Sequence, residues 1–219
     1  MVLQVGIYLF DEVEVLDFAG PFEVFSTASR LCERAGGEPV FAVQLLGPDL
    51  SPVSARGGMR VLPQYAFAEA PPLDVLIIPG GVVTAELPRP GLGNWLQAQV
   101  AQLQVLASIC TGAFVLENAG LLDGREVITH WEDLGDLRAA SESSGSKLKV
   151  LSHQRWVEAA PLQTCRLFTS AGISAGIDLS LHLVAELASP ELARRTAKQM
   201  DYDWRAANGS LLQAAGGRG

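Results

Sequence analysis

Short apolar segments alternate along the chain with segments whose apolar residues recur at the spacing of a helix. The apolar segments are rich in Val, Ile and Leu and are bounded by Gly, Pro or Asp, which is typical of buried strands. These segments are residues 2–10, 41–46, 74–78, 105–109, 126–129, 148–151 and 167–170, and a short hairpin is allowed at 57–62. Helical spacing recurs at residues 21–35, 92–103, 113–118 and 177–188. The alternation predicts an α/β protein in which helices cover both faces of a mostly parallel sheet.

The whole pattern fits one domain, because neither an internal repeat nor a linker interrupts it. We expect this domain to span residues 1–205. The last stretch, 206–219, is rich in Ala and Gly, and we expect it to be a flexible tail. Residues 200–205 mix aromatic and charged side chains, and two placements stay open for them: packing on a neighbouring subunit, or covering the functional site.

Composition and charge exclude several classes of protein. The chain is 48% hydrophobic and 18% charged, which is an ordinary globular balance. Its net charge is −8 and no segment combines basic with aromatic residues, so we expect no nucleic-acid partner. The apolar runs stop far short of the roughly 20 residues of a membrane helix. The opening residues lack the positive charge of a secretory signal, so we expect no membrane association and a cytoplasmic location.

The chain has three cysteines, Cys32, Cys110 and Cys165. Their odd number and the absence of CxxC or CxH spacing predict neither a disulfide framework nor a metal site. In an open parallel sheet, ligands bind beyond the carboxyl ends of the strands. Cys110 directly follows a predicted strand, whereas Cys32 lies in a predicted helix and Cys165 near a turn. We therefore expect structural roles for Cys32 and Cys165 and a candidate nucleophile at Cys110.

Cys110 joins an apolar strand directly to a helix, and the small residue Gly112 lets that turn tighten. This is the arrangement of a nucleophile elbow. A thiol at a helix N-terminus meets the positive end of the helix dipole, which favours the thiolate, so we expect Cys110 to be reactive. A small buried hydrophobic residue at a strand end is the alternative.

Three other strand ends carry candidate groups. Gly80 and Gly81 present backbone N–H groups with no side chain in the way, as an oxyanion hole requires, although a plain tight turn explains them equally well. Asp17 lies between apolar neighbours in a predicted loop, so we expect its pKa to be raised enough for proton transfer. The alternative for Asp17 is an N-terminal helix cap. His130 can reach the same crevice, but a packed histidine is the more common arrangement.

Asp178 is an acidic residue inside an otherwise apolar predicted helix. Such a carboxylate needs a partner if it is buried. The sequence leaves its role open, with the turn at residues 171–172 as one structure that it can position.

Together these motifs resemble the DJ-1/PfpI superfamily, also called the ThiJ or class I glutamine amidotransferase-like group. The resemblance runs from about residue 2 to residue 188. The resemblance rests on residues 17–21, 74–81, 110–112, 129–131 and 169–178. It implies a flavodoxin-like three-layer αβα sandwich, a homodimer, and a nucleophile Cys110 near the acidic Asp17. The protease-like branch places a histidine directly after the nucleophile, but Thr111 stands there, which disfavours a peptidase.

Within the superfamily, Asp17 with Cys110 and Thr111 is most similar to the isonitrile hydratase branch. That similarity implies a hydro-lyase that adds water to an isonitrile, a small-molecule substrate, and yields an N-substituted formamide without a metal or organic cofactor. It assigns the nucleophile to Cys110, proton donation to Asp17 and orientation of Asp17 or an intermediate to Thr111. The same site would use Gly80, Gly81 and His130 as oxyanion or substrate-binding groups.

Other functions stay open beside the hydratase. One is a non-enzymatic protein that senses redox state or a metabolite through an oxidisable Cys110. Another is a glyoxalase-like or peptidase-like enzyme, although His182 lies inside a predicted helix and is poorly placed as a base. Sensor domains of AraC-type regulators are close relatives of this branch. Only about thirty residues follow Pro190, so we expect no appended pair of helix-turn-helix units.

Overall fold

The computed structural model describes residues 1–212, and a seven-stranded sheet forms its centre. The strands are β1 (Leu3–Tyr8), β2 (Phe41–Gly47), β3 (Val53–Ser54), β4 (Arg60–Val61), β5 (Tyr65–Ala66), β6 (Val75–Ile78), β7 (Val105–Ile109), β8 (Glu126–Val127), β9 (Lys149–Val150), β10 (Trp156–Leu162) and β11 (Cys165–Ser170). The central sheet has the order β10-β11-β7-β6-β1-β2-β5. Only β10 and β11 pair antiparallel within that sheet of the described chain. The predicted mostly parallel sheet is confirmed.

Helices form two groups around the sheet. They are α1 (Val15–Arg34), α2 (Leu92–Gln99), α3 (Gly112–Asn118), α4 (Leu134–Ser144), α5 (Ala175–Leu187) and α6 (Pro190–Gln199). Helices α1, α5 and α6 contact one another, and α3 contacts α2 and α4. The crossovers from β1 to β2 and from β6 to β7 run in opposite directions across the sheet. Since such crossovers are right-handed, their helices lie on opposite faces, which gives the predicted three-layer αβα sandwich.

Both faces of the central strands are covered, and the sequence of these strands reflects it. All residues of β6 and β7 are buried. Strands buried on both faces have continuous rather than alternating apolar residues, which is why these two were predicted within one residue of their observed bounds. Among residues 1–212, no helix is both long and apolar enough to cross a lipid bilayer.

Two helices, α4 and α6, and three strands, β3, β5 and β10, lie outside the predicted segments. Helix α4 buries only Leu137 and Ser141, so its apolar periodicity is slight. Strand β10 lies at the sheet edge, where one face is solvated. Ser189 and Pro190 follow the helix predicted at residues 177–188 and begin α6: the Ser189 side chain accepts the Leu192 N–H at 3.1 Å and Pro190 is the first helical residue.

Helix α1 begins at Val15, six residues before the predicted start at residue 21. Asp17 therefore lies in the first turn of α1, so the predicted loop position is wrong. The alternative, a helix cap, is also wrong, because Glu14 occupies the N-cap position. Pro21 lies inside α1 and lacks an N–H, so it cannot donate to the Asp17 carbonyl as a helical residue would.

The segment of residues 200–205 packs on its own chain. The Tyr202 hydroxyl donates to the Ser174 carbonyl at 3.2 Å, and the Trp204 indole N–H donates to the Asp178 carbonyl at 3.2 Å. Part of the predicted tail is attached as well, since the Leu212 N–H donates to the Trp204 carbonyl at 2.8 Å. The rest of that prediction, residues 213–219, lies outside the described residues.

We expect Gly112→Ala to destabilise the fold. A Cβ at Gly112 would lie 2.1 Å from the Ile78 carbonyl oxygen, a backbone atom that cannot move without disturbing β6. The expected loss in the free energy of unfolding is roughly 1–3 kcal/mol, measured by urea denaturation. Gly135→Ala in α4 is the control, because a Cβ there has no atom within 4 Å, and it should stabilise by about 0.5–1 kcal/mol. Equal effects of the two substitutions would contradict the close approach of the turn to β6.

Candidate active site

Cys110 occupies the turn between β7 and α3 with a left-handed backbone, at φ +54°. Such a conformation costs a residue with a side chain about 1–3 kcal/mol and persists only where the surroundings enforce it. Here the Cys110 N–H donates to the Ser170 carbonyl at 3.2 Å, and the Cys110 carbonyl accepts the Thr129 hydroxyl at 2.8 Å. The strand-turn-helix geometry of a nucleophile elbow is present.

Asp17 is fully buried beside this turn. One carboxyl oxygen, Oδ2, accepts the Gly80 N–H at 3.0 Å, and the other, Oδ1, has no hydrogen-bond partner among the described residues. Burial raises the pKa of Asp17 to about 7, against the opposing effects of the Gly80 N–H and the Cys110 thiol. The expected rise in this pKa is confirmed. A carboxyl group with such a pKa can both donate and accept a proton near neutral pH.

The Cys110 thiol does not have the low pKa predicted from its place at a helix N-terminus. Burial raises its pKa to about 12, and the charge of Asp17 adds to the rise. The N–H groups of Thr111 and Ile173 act in the opposite direction. Helix α3 has only 7 residues, and a helix dipole contributes about 0.3–1 kcal/mol, too little to offset burial of the sulfur. The predicted preference for the thiolate is therefore wrong, because burial of the sulfur favours the thiol.

Gly80 and Gly81 hold the other site residues in place. The Thr111 hydroxyl accepts the Gly81 N–H and donates to the Gly81 carbonyl, each at 2.8 Å. A Cβ at Gly80 would lie 2.5 Å from the Thr111 nitrogen and 2.9 Å from Asp17 Oδ2. Both glycine N–H groups thus have acceptors inside the protein, so they do not form the predicted oxyanion hole. The Thr111 hydroxyl is likewise bound to Gly81 and not to Asp17.

Ile173 is a site residue that the sequence reasoning missed. It lies between β11 and α5, lines the cleft above Cys110, and has a left-handed backbone at φ +50°. That conformation is a clear outlier for a β-branched residue. The apolar side chain of Ile173 suggests no chemistry, and its contribution is a backbone N–H that acts to lower the pKa of the Cys110 thiol. The available signal was its position just after a strand end, the criterion that selected Cys110.

A cleft of about 210 Å³ opens above Cys110. It brings together four of the predicted site residues, while Asp17 and Gly80 lie against the same turn without lining it. The lining residues are Glu14, Arg56, Gly81, Cys110, Thr111, His130, Glu132, Asp133 and Ile173. The four charged residues in this set were not predicted, because they come from loops and a short turn without periodicity. A larger cavity of about 440 Å³ lies at the other end of α3, away from the cysteine.

His130 both lines this cleft and is packed, so the two alternatives for it are compatible. Its Nδ1 accepts the Glu132 N–H at 3.4 Å and lies 3.3 Å from Asp133 Oδ2. Its ring lies 5.7 Å from that of Trp131. A Cβ at Gly172 would lie 2.0 Å from His130 Cδ2, so this glycine makes room for the imidazole.

The remaining candidate nucleophiles and bases lie outside the cleft. Cys165 is buried in β11, and Cys32 lies on α1. His182 stacks on Trp156 with ring centroids 4.1 Å apart. Within residues 1–212, no group of three or more His, Cys, Asp or Glu side chains is arranged to hold a metal ion.

The chain is similar to several known proteins. The DJ-1/PfpI family matches residues 3–186. Isonitrile hydratase of Pseudomonas putida is 33% identical over 203 residues, which cover 92% of this chain and 79% of that protein. The HTH-type transcriptional regulator GbdR of Pseudomonas aeruginosa is 28% identical over 91% of this chain, which spans only 51% of the regulator. A solved THiJ/PfpI family protein from Pseudomonas syringae shares the fold, with a TM-score of 0.77 at 24% identity, over 93% of this chain and 76% of that one.

We expect Asp17→Asn to stabilise the protein at neutral and higher pH. In the folded chain the pKa of Asp17 is about 7 against an ordinary 3.8. At a pH between these two values, the folded state therefore binds a proton that the unfolded state has released. The stability that this proton contributes is present below the ordinary pKa and is lost as the pH rises through 7. The variant should gain up to about 4 kcal/mol over the native protein at high pH and little at low pH.

Thermal unfolding at about pH 4 and about pH 8 measures this difference. Asp136→Asn, at an exposed position in α4, is the matched control. A gain from Asp17→Asn that is the same at both pH values would contradict the raised pKa.

Proposed function

The chain belongs to the DJ-1/PfpI family, and we propose that it is an isonitrile hydratase-like enzyme that uses Cys110 to add water to a small isonitrile. The observation that carries this proposal is the position of the Cys110 turn beside a buried carboxyl, Asp17, whose pKa is about 7. The similarity to isonitrile hydratase of Pseudomonas putida, of which the chain covers 79%, supports the reaction class.

The reaction needs a nucleophile and a proton at the same carbon atom, and the site has both. The Cys110 sulfur bonds to the terminal carbon of the isonitrile while Asp17 takes the thiol proton and delivers it to that carbon. The product of this step is a thioimidate, R–N=CH–S, on Cys110. Water then adds to the thioimidate carbon, the nitrogen receives a proton, and the carbon–sulfur bond breaks. The formamide R–NH–CHO leaves, the thiol is restored, and one water has been added.

The raised pKa values suit this sequence. A thiol with a pKa of about 12 forms little thiolate by itself at neutral pH, so it depends on a base at the moment of attack. Asp17 is ionised often enough near pH 7 to act as that base and is then a suitable acid. The N–H groups of Thr111 and Ile173 stabilise negative charge on the sulfur when the carbon–sulfur bond breaks. His130 lines the cleft, which supports a role in binding the substrate or the water.

A second candidate is a binding protein that senses a metabolite in the same cleft. The similarity to the regulator GbdR favours it. Redox sensing through Cys110 is disfavoured, because oxidation proceeds through the thiolate and burial raises the pKa of this thiol. The homodimer and the cytoplasmic location stay predictions.

We expect the native protein to convert cyclohexyl isocyanide to the formamide. Chromatography measures the formamide that is produced. Cys110→Ala should abolish turnover because no nucleophile remains, and Asp17→Asn should reduce it by roughly 100-fold or more because proton transfer is lost. Cys32→Ala, which changes a cysteine outside the cleft, should retain the native rate.

Circular dichroism establishes that each variant is folded. Native turnover in Cys110→Ala would overturn the assignment of the nucleophile. A folded native protein that binds isonitriles without converting them would favour the metabolite sensor.

A further inference from the structure

Asp178 is a fully buried carboxylate outside the cleft, and both of its oxygens have partners. Oδ2 accepts from the Arg155 guanidinium, and Oδ1 accepts the Arg205 N–H at 2.7 Å. The Asp178 carbonyl accepts the indole N–H of Trp204. A charge is kept in a protein interior only where such partners replace water. Asp178 therefore links three separate parts of the chain: α5, the segment before β10, and residues 204–205.

Arg155, a partner of Asp178, and Tyr202 bind the ends of the loop formed by residues 171–174. At one end the Arg155 carbonyl accepts the Ala171 N–H at 2.8 Å. At the other end the Arg155 guanidinium donates to Ser174 Oγ at 3.1 Å, and the Tyr202 hydroxyl donates to the Ser174 carbonyl at 3.2 Å.

The middle of the same loop touches the reacting groups. Gly172 contacts His130, because a Cβ on it would lie 2.0 Å from the imidazole. Ile173 lines the cleft beside Cys110 with a left-handed backbone, and its N–H acts to lower the pKa of the Cys110 thiol. A β-branched residue keeps that conformation only where its neighbours enforce it. The contacts of Arg155 and Tyr202 with the loop ends supply this enforcement.

We propose that Asp178 is a positioning residue for the nucleophile: it holds Arg155, and Arg155 together with Tyr202 holds the loop of residues 171–174, and with it Ile173, against Cys110. The part of this inference that concerns turnover rests on the proposed function. The positioning itself rests on the contacts of the loop and concerns the thiol alone. Loosening the loop should withdraw a hydrogen-bond donor from the sulfur while Cys110, Asp17 and Thr111 stay unchanged.

The test measures how fast iodoacetamide alkylates Cys110 as the pH is raised, in a Cys32→Ala background with the modified peptide identified by mass spectrometry. Tyr202→Phe removes one hydroxyl from the loop, and Arg155→Lys removes the planar group that reaches both Asp178 and Ser174. Since the Ile173 N–H favours the thiolate, we expect both variants to be alkylated roughly threefold to tenfold more slowly near neutral pH, with the profile shifted to higher pH.

Two matched controls accompany these variants. Tyr65→Phe changes a tyrosine on β5, at the opposite edge of the sheet. Arg166→Lys changes an arginine that is similarly paired with two side chains, Glu158 and Glu186, away from the loop. Both controls should keep the native profile. Native profiles in folded Tyr202→Phe and Arg155→Lys would overturn the positioning role.

The alkylation test does not depend on isonitrile turnover, so the two proposals fail separately. A shifted profile in a protein that converts no isonitrile supports the positioning role and contradicts the hydratase. Where turnover is observed, Tyr202→Phe should lower kcat and leave KM close to native, because the loop acts on the sulfur and not on substrate binding. A Tyr202→Phe variant with a raised KM and a native kcat would contradict the positioning role.

Discussion

The arrangement of the site depends on one close approach, in which the turn after β7 lies against the end of β6 with no side chain between them. Gly112 contacts the Ile78 carbonyl, and Gly80 contacts both Thr111 and the Asp17 carboxyl. Because these contacts involve backbone atoms, they leave no room for adjustment. They place a thiol and a carboxyl in the same buried space, and the remaining properties of the site follow from that burial.

Burial outweighs the helix dipole at Cys110. The pKa of the thiol rises from 9.0 to about 12, which corresponds to about 4 kcal/mol, whereas a helix N-terminus contributes about 0.3–1 kcal/mol. The same desolvation raises the pKa of Asp17 to about 7. The result is a thiol that resists spontaneous ionisation beside a carboxyl ready to exchange a proton. Such a pair suits chemistry in which the substrate itself needs a proton at the atom that is attacked.

Two strained residues meet at this site, Cys110 and Ile173, both with left-handed backbones. Each is held by hydrogen bonds from elements distant in the chain, Cys110 by Ser170 and Thr129, and the loop of Ile173 by Arg155 and Tyr202. Strain of this kind requires a rigid surround. The segment of residues 200–205, which adds no strand to the sheet, supplies part of those rigid surroundings through Tyr202.

The sequence by itself determined the parallel sheet, the position of Cys110 at a strand end and the resemblance to a family, because continuous apolar runs record burial on both faces and a small residue marks a tight turn. Edge strand β10 and polar helix α4 leave weak patterns. Tertiary structure alone decided the hydrogen-bond partners and the pKa values of the site residues. The hydrogen bond between Asp17 and Gly80 joins residues 63 positions apart in the sequence, and the one between Tyr202 and Ser174 joins residues 28 positions apart. A pKa or an occupied N–H depends on such distant neighbours, which local periodicity does not encode.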